Sequence, residues 1–334
     1  MMTPREVVKR TVTFSGPDRL AMALPEEYGS DISGMGMTPS PDSRPSGASG
    51  ESVDEWGAVW HNIGVCRLGE VKRPALPSWD EYSDLRIPDI REPRRWERLS
   101  AQRQRAGNRF VMASGISLYE RAHFIRGLEN VWMDLYTEPD RLRSLIQVLV
   151  DMNLEAIPRY AAAGADGFMW CDDWGLQDRL MIAPDAWRDF WKPAYAEVYN
   201  AAHEAGLLTF LHSCGYIVDI LDDLIEVGLD VIQMDQQENM GLDVLSQRFR
   251  GRITFWCPVD IQSVMCNGTP DDIRAYCRRL VQYLGTERGG FMAKWYPDTA
   301  GAGHTPEAVA VMCDEFVRIS DEMRAGSGQP ASRG

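Results

Sequence analysis

The chain lacks most of the motifs that would settle its chemistry at a glance. Its seven cysteines, Cys66, Cys171, Cys214, Cys257, Cys266, Cys277 and Cys313, form no CxxC pair, so no regular disulfide framework is written into it. No GxGxxG or GxxxxGK[ST] lies at a strand–helix junction, which weighs against dinucleotide and P-loop sites. Nowhere do about 18 apolar residues run together, and the opening MMTPREVVKRTVTF has no apolar stretch of the signal-peptide kind. Basic residues are few: 35 Lys and Arg stand against 49 Asp and Glu, a formal charge of −14. That balance disfavours broad nucleic-acid binding and docking on anionic membranes. These absences predict a soluble cytosolic protein with reduced thiols.

What is present suits one large domain. The 334 residues are 44% hydrophobic, and a single barrel of parallel strands and helices takes about 250 residues plus insertions. A first helix is predicted over 4–13, with Thr3 as N-cap and Pro4 at N1, and a strand at 19–24. Residues 27–54, rich in Gly, Ser, Pro and Asp, read as a long mobile surface loop whose composition suits a lid. Stretches 56–61 and 65–71 read as a small hairpin. The seven arginines between Arg86 and Arg105 read as a solvated helix face.

After Asn108 the pattern becomes regular. Strands are predicted at 109–113, 167–171, 208–212, 231–234, 253–256 and 290–294. Helices fall between them, including 138–163 with apolar residues at helical period, 184–205 and 217–227. Alternating strands and helices imply parallel β/α units. With 19–24 this makes seven barrel strands, and an eighth hides in the irregular first third. The expected fold is α/β, a (β/α)8 TIM-type barrel forming a single domain over 1–324; an open doubly wound sheet is the alternative. The tail 325–334 reads as disordered.

In such barrels the chemistry sits at the C-terminal strand ends. Here those ends read Cys171-Asp172-Asp173, His212-Ser213-Cys214, Asp235-Gln236-Gln237, Cys257-Pro258-Val259-Asp260 and Tyr296-Pro297-Asp298. The stretch TFLHSCG, Thr209 to Gly215, is the most informative. In extended chain, residues i and i+2 share a face, so His212 and Cys214 can look into one cavity, and imidazole plus thiolate suits zinc. A buried histidine beside an inert thiol is the plainer account. Cys257 is the candidate third soft ligand, with Asp172, Asp173 or Asp235 able to supply an oxygen. The acids are also common helix caps. Asp172, Asp173, His212 and Cys214 are the expected catalytic group, with Gln177, Asp235, Gln236, Asp260, Asp298 and His304 around the substrate. His123 and His203 fall in helices, and Cys66, Cys266, Cys277 and Cys313 read as packing. Trp170, Trp174, Trp256, Trp295 and Tyr296 could line a flat-ligand pocket or pack sheet against helix.

Several stretches together resemble the uroporphyrinogen decarboxylase superfamily, in particular its methyltransferase-like branch. They are TPREVVKRTVTFSGPDRLAM, LYERAHFIRGLENVWMDLYTEPDRL, GFMWCDDWGLQDRLMIAPDAWRDFWKPAY, AAHEAGLLTFLHSCG, FRGRITFWCPVDIQ and GTPDDIRAYCRRL. The resemblance implies a (β/α)8 barrel with a deep pocket at the strand C-termini. True uroporphyrinogen decarboxylases carry an early RQAGR-type motif, where this chain reads LAMALPEEYGSDI.

The methyltransferase branch moves methyl groups between corrinoid proteins and thiols or related acceptors. It uses a His-x-Cys pair, matched by His212 and Cys214, plus a distant Cys for zinc. Where that Cys is expected this chain reads AKWYPDTAGAGH, so Asp298, His304 or Cys257 would have to stand in. The resemblance thus implies a methyltransferase with zinc as cofactor and a corrinoid protein as partner. A decarboxylase of porphyrinogen-like or small acids is the alternative, marked by a basic pocket from Arg109, Arg121 or Arg126. A third possibility is a non-catalytic corrinoid or tetrapyrrole binder.

Overall fold

The structure is a computed structural model that describes residues 1–41, 43, 50–62 and 69–327. Cys66, part of the predicted strand 65–71 and most of the predicted tail lie outside the described residues.

Helix α1 (Pro4–Val12) begins with a capping box in which Thr3 and Glu6 satisfy each other's backbone. Strands β1 (Ala21–Ala23) and β2 (Ile32–Met35) follow, then a three-stranded antiparallel sheet of β3 (Gly50–Val53), β4 (Val59–Asn62) and β5 (Glu70–Arg73). The rest alternates: α2 (Leu99–Ala106), β6 (Phe110–Ser114), α3 (Tyr119–Arg126), α4 (Leu128–Thr137), α5 (Pro139–Ala162) and β7 (Gly167–Cys171). Next come α6 (Pro184–Phe190), α7 (Lys192–Glu204), β8 (Leu208–His212), α8 (Val218–Glu226) and β9 (Val231–Gln233). The chain closes with α9 (Leu242–Phe249), β10 (Thr254–Cys257), α10 (Val264–Asn267), α11 (Pro270–Leu284), β11 (Phe291–Lys294), α12 (Thr299–Ala302) and α13 (Pro306–Ser327).

Eight parallel strands form a nearly closed barrel in the order β1-β11-β10-β9-β8-β7-β6-β2. The seam lies between β1 and β2. A parallel ladder needs a crossover of about a dozen residues or more, and residues 24–31 are too few. The two strands meet instead through Asp31. Its backbone N–H donates to the Met22 carbonyl at 2.7 Å, and its carboxylate accepts from the Met22 N–H and binds buried Arg19.

Period-2 alternation divides the strands into two packing layers. Phe110, Met112, Phe210, Val231, Trp256 and Met292 point inward and meet Val7, Val8 and Val12 of α1. Val111, Phe168, Trp170, Leu211, Ile232, Phe255 and Cys257 point outward to the helices. Backbone bonds from Arg5 to Asn108 and from Gly290 to Thr11 seat α1 across the N-terminal strand ends. Arg5 and Lys9 also hold the buried Asp166 carboxylate below its usual range, against the opposing pull of burial. The bottom is thereby closed and the C-terminal mouth is left for chemistry.

Four expectations are corrected. The stretch 27–54 is not one loop, because it holds barrel strand β2 and strand β3; the short, glycine-containing ISGM carries too little apolar signal to stand out. The helix expected over 184–205 is split, since Pro193 lacks the N–H that would continue α6 into α7. The last helix runs on to Ser327, into the expected tail. The arginine-rich stretch is not wholly solvated either, as Arg95 is 2% exposed and paired with Glu55 at 2.8 Å. No helix among the described residues is long and apolar enough to cross a membrane.

Candidate active site

His212 ends β8 with the same inward parity as Leu208 and Phe210. Its Nε2 lies 3.3 Å from the Cys214 sulfur and 3.4 Å from an Asp173 carboxylate oxygen. The three ligand atoms of Asp173, His212 and Cys214 lie within 4.8 Å of one another. Cysteine, histidine and aspartate in one small space are donors that zinc accepts in its catalytic sites.

Two crossing loops hold these residues in place. The Cys214 N–H donates to Asp173 at 2.8 Å, the Trp174 N–H to the Ser213 hydroxyl at 3.1 Å, and the Tyr216 N–H to the Leu176 carbonyl at 2.8 Å. The backbones come so close that a Cβ at Gly175 would sit 2.3 Å from the Tyr216 nitrogen, and one at Gly215 would sit 2.3 Å from the Gly175 oxygen. Glycine is required at both positions, and Gly215 also adopts φ +73°.

Behind His212 runs a chain of partners that orients it. Lys294 Nζ binds Asp235 at 2.9 Å, and the Gln233 side-chain amide donates to the same Asp235 oxygen at 2.7 Å. That turns the Gln233 carbonyl oxygen toward His212 Nδ1, which therefore carries the proton and donates to it. In the neutral ring, the form that could bind a metal, Nε2 facing Cys214 and Asp173 is left to accept. Outer partners of this kind fix the tautomer and ring plane of metal-binding histidines.

The charges follow from burial set against close partners. For His212, burial opposes the charged form, but Asp173 and Cys214 outweigh it and hold the imidazolium well above its ordinary range. For Asp173, burial is likewise outweighed, by His212 and the Cys214 N–H, and the carboxyl lies below its usual range. Burial pushes the Cys214 thiol up, with His212 opposing.

Of the other expected site residues, Asp172 is not at the mouth. It shares the outward parity of Trp170, is fully buried, and accepts from the Leu118, Tyr119 and Glu120 N–H groups, Trp170 Nε1 and the Tyr195 hydroxyl. It caps α3, whose own N-cap Leu118 has no side-chain acceptor. Burial raises its pKa to about 6 despite those donors.

Cys257, expected as third ligand, points outward into the core between sheet and helices, and burial pushes its thiol up to about 12. The alternation that points Trp256 inward directs Cys257 away. Asp235 joins through Gln233 rather than directly. Gln236 accepts from the Gly215 N–H at 2.7 Å, and Gln177 is exposed on the loop. Asp260 holds its own loop through Gln262 and Ser263; Asp298 caps α12, and His304 donates from Nε2 to the Ile261 carbonyl.

The aromatic residues Trp170 and Trp174 are packing, the latter stacked on Tyr119 at 3.9 Å. Cys277 and Cys313 are buried as expected, whereas Cys266 is exposed, its thiol 3.2 Å from the Ile261 and Ala302 carbonyls.

Residues that sequence reasoning passed over also face the mouth. Gln233, Lys294 and Cys171 could have been found by extending the period-2 alternation along their strands. Cys171 is an exposed residue, yet its thiol is pushed up to about 11, chiefly by burial, with His212 opposing. No local signal marks Glu120, in the first turn of α3. Burial first, then Asp173 and Asp172, raise its carboxyl to about 8.

The folded protein thus keeps a proton on Glu120 that the unfolded chain loses near pH 4.5. This contribution to stability is complete below that pH and is lost as pH rises through 8. In metal-free protein, Glu120→Gln is expected to gain in Tm relative to wild type progressively from pH 4.5 to 8. Parallel Tm curves would mean an ordinary carboxylate.

Comparison with known proteins agrees with this architecture. The family model for uroporphyrinogen decarboxylase (URO-D) matches residues 113–311. Methylcobamide:CoM methyltransferase MtbA of Methanosarcina mazei is 23% identical over 172 residues, covering 51% of this chain and 49% of the relative. The chain thus spans about half the length of the curated relative it matches. A solved methyltransferase from Methanosarcina mazei superposes with a TM-score of 0.62 at 15% identity, covering 95% of this chain and 99% of that one, a likeness of fold. With its family model spanning more than half of the sequence and its barrel shared with a methyltransferase, the chain belongs to the uroporphyrinogen decarboxylase family.

Proposed function

We propose that this protein is a methyltransferase that moves a methyl group between a corrinoid, carried by a partner protein, and a small acceptor thiol, with zinc held by Asp173, His212 and Cys214. The convergence of those three ligand atoms within 4.8 Å at the C-terminal strand ends carries the proposal. The relative's name, a methylcobamide:CoM methyltransferase, supplies the donor class.

The donor set fits the ion. The oriented Nε2 of His212 faces one sulfur and one carboxylate, and catalytic zinc sites use three protein ligands with a fourth position open. Zinc there would hold an acceptor thiol as thiolate, the reactive form, at neutral pH. The protein's own contribution is positional. Gln233 fixes the His212 tautomer, Lys294 pairs with Asp235 behind it, and the interlocked loops hold Asp173 against Cys214.

Decarboxylation of a carboxylate-rich ring would need free cations. Arg121 is paired with Asp54 at 2.7 Å, Arg126 with Asp134 at 2.8 Å, and Arg109 bonds the Ala106 and Arg105 carbonyls. The marker of the decarboxylase alternative is therefore absent from these three residues.

Elemental analysis of the purified wild-type protein tests the proposal, together with loss of methylcobalamin absorbance on adding 2-mercaptoethanol. About one zinc per chain and thiol-dependent demethylation are expected. A protein that neither contains nor takes up zinc would sink the zinc mechanism; tight corrinoid binding without turnover would point to a binding protein.

A further inference from the structure

Cys171 is a mouth thiol that the proposed ligand set leaves unused. It ends β7 with the inward parity of Met169, and it is the Cα register partner of His212 on β8. Asp173 lies two residues beyond Cys171, and Cys214 two residues beyond His212. Cys171 and His212 are thus the last rung of the β7–β8 ladder, and Asp173 and Cys214 follow it on the two loops. The Cys214 N–H, bonded to Asp173 at 2.8 Å, ties those two together.

Adjacent strands run about 4.8 Å apart. Inward side chains on the same rung can therefore reach a common point at metal–ligand distances of about 2.0–2.3 Å. Three of the four already converge. Cys171 is an exposed residue bound in no disulfide, so rotation about χ1 carries its sulfur between staggered positions without breaking a covalent tie.

Building on the metal reading above, we propose that Cys171 is a displaceable fourth ligand. Its thiolate completes the shell around a metal at Asp173, His212 and Cys214, and yields that position to the acceptor. When an acceptor thiol enters, its proton passes to the Cys171 sulfur. The bond from that sulfur to the metal breaks as the acceptor's sulfur–metal bond forms. One thiolate replaces another, so charge is conserved and no outside base is consumed. The exchange favours acceptors with a free thiol over alcohols, whose proton a departing thiolate is too weak a base to remove.

The test loads the full chain with cobalt(II), whose sulfur-to-metal charge-transfer absorption counts bound thiolates. Wild-type protein should show the absorption of two. Cys171→Ser and Cys171→Ala should each still bind one ion but lose about half of that absorption, and adding 2-mercaptoethanol should restore it. In parallel, iodoacetamide labelling mapped by mass spectrometry should find Cys171 protected by metal, while exposed Cys266 labels in both states. Full absorption in both variants, or equal labelling of Cys171 with and without metal, overturns the fourth-ligand role and leaves the three-ligand site standing. Wild-type protein that takes up no cobalt overturns both.

Discussion

Asp172→Ala is expected to destabilise the protein by about 3–5 kcal/mol, as judged by the urea midpoint, without removing the metal site from molecules that still fold. Asp172 is fully buried and accepts from the backbone of Leu118, Tyr119 and Glu120 and from the side chains of Trp170 and Tyr195. Each buried donor left without an acceptor costs about 1–3 kcal/mol, and the start of α3 loses its cap. Asp172→Asn tests the account further. Its amide keeps one acceptor oxygen but sets an NH2 against groups that donate, so it should recover only part of the loss. If Asp172→Ala instead kept wild-type stability and abolished activity, the residue would be a mouth group after all.

The second expected result concerns the third ligand. His212→Ala/Cys214→Ala should abolish metal binding, and Asp173→Ala should weaken it by roughly 100-fold in chelator competition. The magnitude follows from about 10–16 kcal/mol for a four-ligand structural zinc, or about 3 kcal/mol per ligand. Cys257→Ala should leave metal affinity unchanged and cost about 1 kcal/mol of stability, the loss of one small buried group. The opposite pattern, metal lost with Cys257 and kept without Asp173, would refute the site as drawn. The contrast is sharp because both residues stand at strand ends and differ in which side of the sheet they face.

These two results bear on how a shared barrel acquires a particular chemistry. Membership of the family accounts for the strands and for the location of the mouth; the activity rests on the side chains there. In this chain the relevant unit is a pair of interlocked loops. Gly175 and Gly215 allow backbone contact that no larger residue would permit, and the contact brings Asp173 to the His212–Cys214 pair.

Much of this was legible in the residues themselves. Strands 167–171 and 208–212 match β7 and β8 at both ends, because short apolar runs bounded by glycine and by polar strand ends are strong local signals. The His212–Cys214 pairing followed from the two-residue repeat of extended chain. Local signals failed where the decisive partner is distant in sequence. Strand β2 is defined by its ladder with β6 rather than by its own ISGM, and the barrel seam by Asp31 and Arg19.

The roles of Asp172 and Asp173 could not be told apart from composition, since either could cap or ligate. The sheet decided between them by directing alternate residues to opposite faces, one to the bare N-terminus of α3 and the other to the mouth. The sequence by itself thus determined the strand-and-helix order after Asn108 and the pairing of His212 with Cys214, which rest on local periodicity, and the family, which rests on its motifs. The placement of Asp173 beside that pair, the tautomer of His212 and the identity of the cap were decided by tertiary structure alone, because each depends on which atoms a folded backbone brings within hydrogen-bonding reach.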